Sequence, residues 1–136
     1  MIILEWSYHS ICVEFIEDGV RNTLETWQPK DPLDVAVSLS VTIGERGRVG
    51  PHIFESAIYT TSNFRKRKQK FGNDFEDPNR VTVVYEYEWP KIRRKLDAVI
   101  KSCERLTEVA TLTELRKHFY WEYEGDPEQP HLSGPC

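Results

Sequence analysis

The sequence has no apolar run approaching the roughly 20 residues that a membrane-spanning helix needs. It has only three cysteines, Cys12, Cys103 and Cys136, an odd number without metal-ligand spacing. Cys103 falls on an apolar helix stripe and is expected as a buried thiol, and a reducing, cytoplasmic compartment is expected. The start, Met1-Ile2-Ile3-Leu4-Glu5-Trp6, lacks the basic segment of a secretory signal, so none is expected. No glycine-rich phosphate loop precedes a helix, because Gly44, Gly47 and Gly50 fall in a turn between strands. No serine occupies a nucleophile elbow. His9, His52, His118 and His131 lack ligand-like spacing, so no metal site is expected. There is no internal repeat. Charge is nearly balanced, with 18 basic and 22 acidic residues and a net −4, which gives no global drive towards nucleic acid or anionic membranes.

What is present suits one domain. The chain has 136 residues, 39% of them hydrophobic and 12% aromatic, enough for one core. Val35, Val37, Leu39, Val41 and Ile43 occupy every second position, the period of a strand with one face on a core. The residues between them, Ala36, Ser38, Ser40 and Thr42, are small rather than charged, so the second face is expected to be covered or part of an interface. Gly44–Pro51 reads as a turn, and Ile53–Thr60 as the returning antiparallel strand. Ile2–Tyr8 reads as a further strand. Glu17-Asp18-Gly19 reads as a turn that can join two short strands, within a segment, Glu14–Trp27, that is otherwise ambiguous.

Thr61-Ser62-Asn63 offers caps for a short helix held down by Phe64 and Phe71. Between these rings run Arg65, Lys66, Arg67, Lys68 and Lys70, which read either as a phosphate-tracking patch or, more simply, as a solvated face. Asp74, Glu76 and Asp77 mark an acidic loop. Arg80–Glu88 alternates as another strand, with Val81, Val83, Tyr85 and Tyr87 on one face. Trp89-Pro90 opens a helix whose stripe is Ile92, Leu96, Val99, Ile100 and Cys103. Lys91, Arg93 and Arg94 oppose the dipole of its first turn, with Glu86 and Glu88 as the expected partners. An unbroken helix to His118 would be about 40 Å long. A break near Glu104–Leu106 is therefore expected, with Thr107 capping a second helix that turns Val109, Leu112 and Leu115 inward. The fold class is α+β: an antiparallel sheet of about four to five strands, two main helices on one face and a short extra helix. One domain over 1–124 is expected, with a disordered tail over 125–136.

Glu86 and Glu88, like Glu122 and Glu124, lie at i, i+2 on strands, which places each pair roughly 7 Å apart on one face. Such pairs can serve acid–base chemistry, but solvated strand charges are the plain reading. Trp89, Trp121 and Tyr123 add rigid aromatic area beside these acids. Glu86, Glu88, Trp89, Trp121, Glu122, Tyr123 and Glu124 are thus the candidate partner-binding residues. Aromatic anchors supply interface energy, and acids steer a basic partner. No catalytic residue is assigned.

Several segments in order resemble the immunity protein 8 family of bacterial polymorphic-toxin systems. They are Pro29-Lys30-Asp31-Pro32, the alternating strand closing on Ile43-Gly44, a glycine-containing turn and a strand holding Phe54. The Tyr-rich end of Val81–Glu88, the amphipathic helix from Lys91 and the ending Tyr120-Trp121-Glu122-Tyr123-Glu124 complete the set. The resemblance spans roughly residues 29–124. Tyr123 stands where the family has Phe, and the basic run Arg65–Lys70 departs from its pattern. The resemblance implies a cytoplasmic antitoxin that binds and neutralises a cognate toxin domain, possibly a nuclease, without catalysis, cofactor or membrane. A nucleic-acid-associated module working through Arg65–Lys70 and a small carboxylate-dependent enzyme are the alternatives.

Overall fold

The structure, a computed structural model, describes residues 1–9, 15–17, 20–22, 24–48, 50–72, 75 and 77–122. Tyr123, Glu124, the 125–136 tail, Asp74, Glu76, Cys12 and Cys136 lie outside them. The elements in order are β1 (Leu4–His9), β2 (Phe15–Glu17), β3 (Val20–Asn22), β4 (Ala36–Glu45), β5 (His52–Thr60), α1 (Thr61–Phe71), β6 (Thr82–Val84), α2 (Trp89–Ser102), α3 (Glu108–Leu115) and β7 (Tyr120–Trp121). The fold is α+β. No helix is long and apolar enough to cross a membrane among the described residues.

β4 and β5 pair antiparallel from Ala36↔Tyr59 to Ile43↔His52. The turn between them uses Gly47 and Gly50 at φ 81° and 86°, which only glycine adopts without strain. β1 adds antiparallel to the far side of β4. The outer edge of β5 is shared by two short strands, β7 antiparallel at Phe54 and Glu55 and β6 parallel at Ile58–Thr60. β2 and β3 pair antiparallel with each other, apart from this sheet; Asp18 and Gly19 of the expected turn lie outside the described residues.

The sheet is therefore mixed, where the sequence predicts a purely antiparallel one. α1 is the reason. It leaves the end of β5, and a helical crossover delivers the next strand parallel, alongside Ile58–Thr60. The strand expected over Arg80–Glu88 is also shorter, ending at Val84. Tyr85 turns out to solvent at 74% exposure, whereas Tyr87 is buried. The Tyr87 N–H donates to Pro32 O at 2.7 Å rather than to a neighbouring strand.

One face of the sheet meets α2 and α3. Val37, Leu39, Val41, Ile43, Phe54 and Ile58 pack there against Ile92, Leu96, Ile100, Cys103, Leu115 and Phe119. Each such aliphatic or aromatic side chain contributes about 1.5–3 kcal/mol on full burial. Val99 is half-buried on the edge of this core, and Cys103 is a buried free thiol. The two helices break as expected. Thr107 caps α3 by accepting from the Ala110 N–H at 3.1 Å. Val109, expected inside, is 76% exposed. The phase of α3 explains this: Thr111 and Leu115 form the i, i+4 inner row, and Thr111 Oγ1 accepts from the Arg105 N–H at 3.1 Å.

On the opposite face, α1 and Phe75 cover Tyr59, with ring centroids 5.5 and 5.7 Å away. Ser40 and Ala57 are buried on that face, and Ala36, Ser38 and Thr42 are half-buried. Thr60 is the residue that precedes α1, but its hydroxyl does not cap the helix. It accepts instead from the Val35 N–H at 2.9 Å, fastening the start of β4 to the end of β5.

β1 is tied to α2 by charge. Asp97 accepts from Trp6 Nε1 at 3.0 Å and pairs with Lys101 at 3.0 Å. The Trp6 hydrogen bond, then that of Lys101, holds its carboxyl below the ordinary 3.8. Across the molecule, Lys66 and then Asn63 do the same for Asp34. Carboxyls with depressed pKa values stabilise the fold above their ordinary value, and that contribution is lost as pH falls through the folded value.

Two outcomes follow. Leu96→Ala should destabilise by about 2–5 kcal/mol in denaturant unfolding, and a loss under about 1 kcal/mol would contradict its place in the core. Stability should fall as pH drops below 3.8, and Asp97→Asn should flatten that fall. An acid-unfolding profile of the variant that overlays the wild type would contradict the role of this carboxyl.

Candidate partner-binding surface

The segment Pro29–Pro32 makes a tight bend before β4. The Asp31 carboxylate accepts from the Leu33 N–H at 3.0 Å, and Asp31 O accepts from the Asp34 N–H at 3.1 Å. The bend holds Pro32 O where the Tyr87 N–H reaches it. The Tyr87 hydroxyl in turn donates to Leu24 O at 2.8 Å. Trp27 packs edge-on against Tyr87, centroids 5.1 Å apart, and Trp89 packs against Tyr8 at 4.5 Å. A surface groove of about 600 Å³ results, its walls made by Trp27, Pro29, Pro32, Tyr87, Trp89 and Pro90.

Its rim carries four charged residues, Glu25, Glu88, Lys91 and Arg94. Glu88 pairs with Lys91 at 2.6 Å, and Glu25 with Arg93 at 3.4 Å. Two of the three first-turn cations of α2 thus find carboxylates, Lys91 with Glu88 as expected and Arg93 with Glu25, which takes the part foreseen for Glu86. Arg94 has no partner among the described residues. Burial raises the hydroxyl pKa of Tyr87 above 10.0, and burial followed by the neighbouring Glu25 raises that of Tyr8. Both therefore stay protonated at neutral pH and act as hydrogen-bond donors, not as bases.

The second half of the expected surface lies at β7. Trp121 is half-buried between the Arg116 guanidinium, 5.2 Å from its ring, and the His52 ring at 5.8 Å. The Glu122 N–H donates to Ile53 O at 3.0 Å, which continues the pairing one residue past β7. Beside it, His52 Nε2 lies 3.4 Å from the Glu108 carboxylate.

The structure does not bring the two halves into contact. Val84 pairs with Thr60, and Trp121 with Phe54. Six residues of β5 at about 3.3 Å each put the two ends roughly 20 Å apart. Glu86 is exposed, Glu88 and Glu122 are half-buried, and Trp89 is 6% exposed, more core than surface. Tyr123 and Glu124 lie outside the described residues.

The sequence reading missed Trp27, Tyr87 and Arg94 as parts of a groove. Trp27 sits two residues before Pro29, and that spacing was the available signal. What placed it against Tyr87 is a contact across sixty residues, invisible to local pattern. Among the described residues, no three His, Cys, Asp or Glu side chains converge to hold a metal.

No curated protein matches the chain significantly. No solved structure does so either. Residues 15–125 match the family described as Immunity protein 8, which is well over half of the sequence, so the chain belongs to the Immunity protein 8 family.

Proposed function

We propose that this chain is an immunity protein of the cytoplasm that binds a cognate bacterial toxin domain and neutralises it by occlusion, without catalysis of its own. The family match over residues 15–125 is the observation that carries this reading. The chemistry of the surface supports it. A concave, aromatic-walled groove is the kind of place where a partner's side chain becomes an anchor. The exposed carboxylate of Glu86, next to Tyr87 in the chain, favours encounter with a basic partner.

The toxin is met by an acidic-aromatic surface in two parts: Glu86, Glu88 and Trp89 at the groove, and Trp121 and Glu122, continuing into Tyr123 and Glu124, at β7. A separation of roughly 20 Å suits one contact of standard size, since about 800 Å² per partner is a patch some 30 Å across. Trp89 works from beneath in this arrangement. It is buried against Tyr8, and the outer contacts come from Trp27 and the carboxylates.

The test uses the toxin domain encoded in the adjoining reading frame. Mixed with this chain it should form a stable complex and lose its activity. Failure to form one would overturn the reading. Replacing Glu86, Glu88, Glu122 and Glu124 by Gln should leave folding almost intact, as surface ion pairs such as Glu88–Lys91 contribute little. The association rate at low salt should fall about tenfold and lose much of its salt dependence. An unchanged rate would place the interface on another surface.

A further inference from the structure

The charge of α1 is not explained by the fold or by the toxin-binding reading. None of its residues is buried. It holds five cations, Arg65, Lys66, Arg67, Lys68 and Lys70, and no acid. Arg65/Lys68 and Arg67/Lys70 are spaced i, i+3, and Lys66/Lys70 i, i+4. These are the spacings at which like charges repel on a helix. Only part of this charge is answered. Lys66 pairs with Asp34 at 2.7 Å. Arg67 donates to Asn63 Oδ1 at 2.8 Å and lies over the Tyr59 ring at 5.9 Å. Arg65, Lys68 and Lys70 have no carboxylate partner among the described residues. The chain has a net charge of −4. With +5 on α1, the remaining residues carry −9, so the molecule is strongly polarised about this helix.

The free cations come with an aromatic surface. Phe71, at the end of the helix, is 56% exposed. It is stacked on Phe75 with centroids 5.7 Å apart and planes at 23°. The Lys70 ammonium lies 5.3 Å from the Phe71 ring. Arg65, Lys68 and Phe71 follow one another at i, i+3 and i+6, two cations and then a ring, each step rising about 4.5 Å. An exposed ring beside unpaired cations is the arrangement on which a nucleobase stacks while its phosphates are neutralised.

We propose that α1 is a binding surface for single-stranded nucleic acid, with Phe71 as the stacking platform and Arg65, Lys68 and Lys70 as the phosphate contacts. A duplex fits less well. It would spread beyond this small patch onto a molecule whose remaining charge is negative, whereas a single strand can touch α1 alone. This site is separate from the groove and from β7, so it stands or falls independently of toxin binding.

Three neutralised phosphates give a definite salt dependence. The slope of log K against log salt should be near −2, and affinity should drop roughly 15-fold between 50 and 200 mM salt. Fluorescence anisotropy with a labelled 12-nucleotide single-stranded RNA and its DNA counterpart measures this on the full chain. In 50 mM salt we expect saturable binding. It should be weakened at least tenfold by the triple change Arg65→Gln, Lys68→Gln, Lys70→Gln, and about fivefold by Phe71→Ala. Because these side chains are exposed and repel one another, the triple variant should unfold at or above the wild-type temperature, so loss of binding is not loss of fold. Absence of binding at 100 µM protein would overturn the proposal. So would binding that the triple variant retains. If the triple change instead weakens association with the toxin domain while neither oligonucleotide binds, α1 is a contact for an acidic protein and the proposal is likewise overturned.

Discussion

The antiparallel ladder between β4 and β5 is the interaction on which the rest of this molecule depends. It fixes which side of each strand is inside. With Val41 opposite Phe54 and Val37 opposite Ile58, every large apolar residue of β4 faces α2 and α3. A slip of one residue would turn that whole set outward, so the register is strongly specified. The ladder is closed at one end by Gly47 and Gly50 and at the other by the Thr60 hydroxyl on the Val35 N–H. That second closure is also where the proposed partner-binding surface begins. The chain enters β4 from the Pro29–Pro32 bend, and Pro32 O is what holds Tyr87 in the groove.

Because β5 carries both β6 and β7 on one edge, it also sets the distance between the two parts of the proposed interface. β6 lies against its last residues and β7 against its first. The two acidic stretches therefore flank the sheet edge instead of merging. Charge is sorted in the same way. The groove rim pairs its carboxylates with cations of α2, while α1 gathers cations on the other face of the sheet and leaves three of them unanswered. A protein with opposite charge on separate faces can meet two partners of different kinds without competition between them.

Much of this was legible in the sequence where periodicity is strong. The alternation of β4, the stripe Ile92–Leu96–Ile100–Cys103, the break before Thr107 and the glycine turn are local signals, and each appears in the structure. The departures arise where long-range contacts override alternation. Val81–Glu88 alternates to its end, but Tyr87 is claimed by Pro32 and Leu24, so the strand stops at Val84. Val109 fits an inward row by spacing, yet the Thr107 cap and the Thr111 bond set the helix at another phase. The groove was invisible for a similar reason: Trp27, Tyr87 and Trp89 belong to segments that no local pattern connects. The parallel sense of β6 was in principle readable, since a helix placed between two neighbouring strands implies it.

The claim that the Trp27–Tyr87–Trp89 groove is the face presented to the toxin has a direct physical consequence. Backbone amides covered by a partner exchange their hydrogens more slowly. Hydrogen exchange of the full chain should be measured alone and with the toxin domain from the adjoining reading frame. The slowed amides should fall in Leu24–Gln28 and Tyr85–Arg94, with a second set at Tyr120–Glu122 and none in Arg65–Lys70. Slowing confined to the Gly44–Gly50 turn or to α1, with the groove segments unchanged, would contradict it.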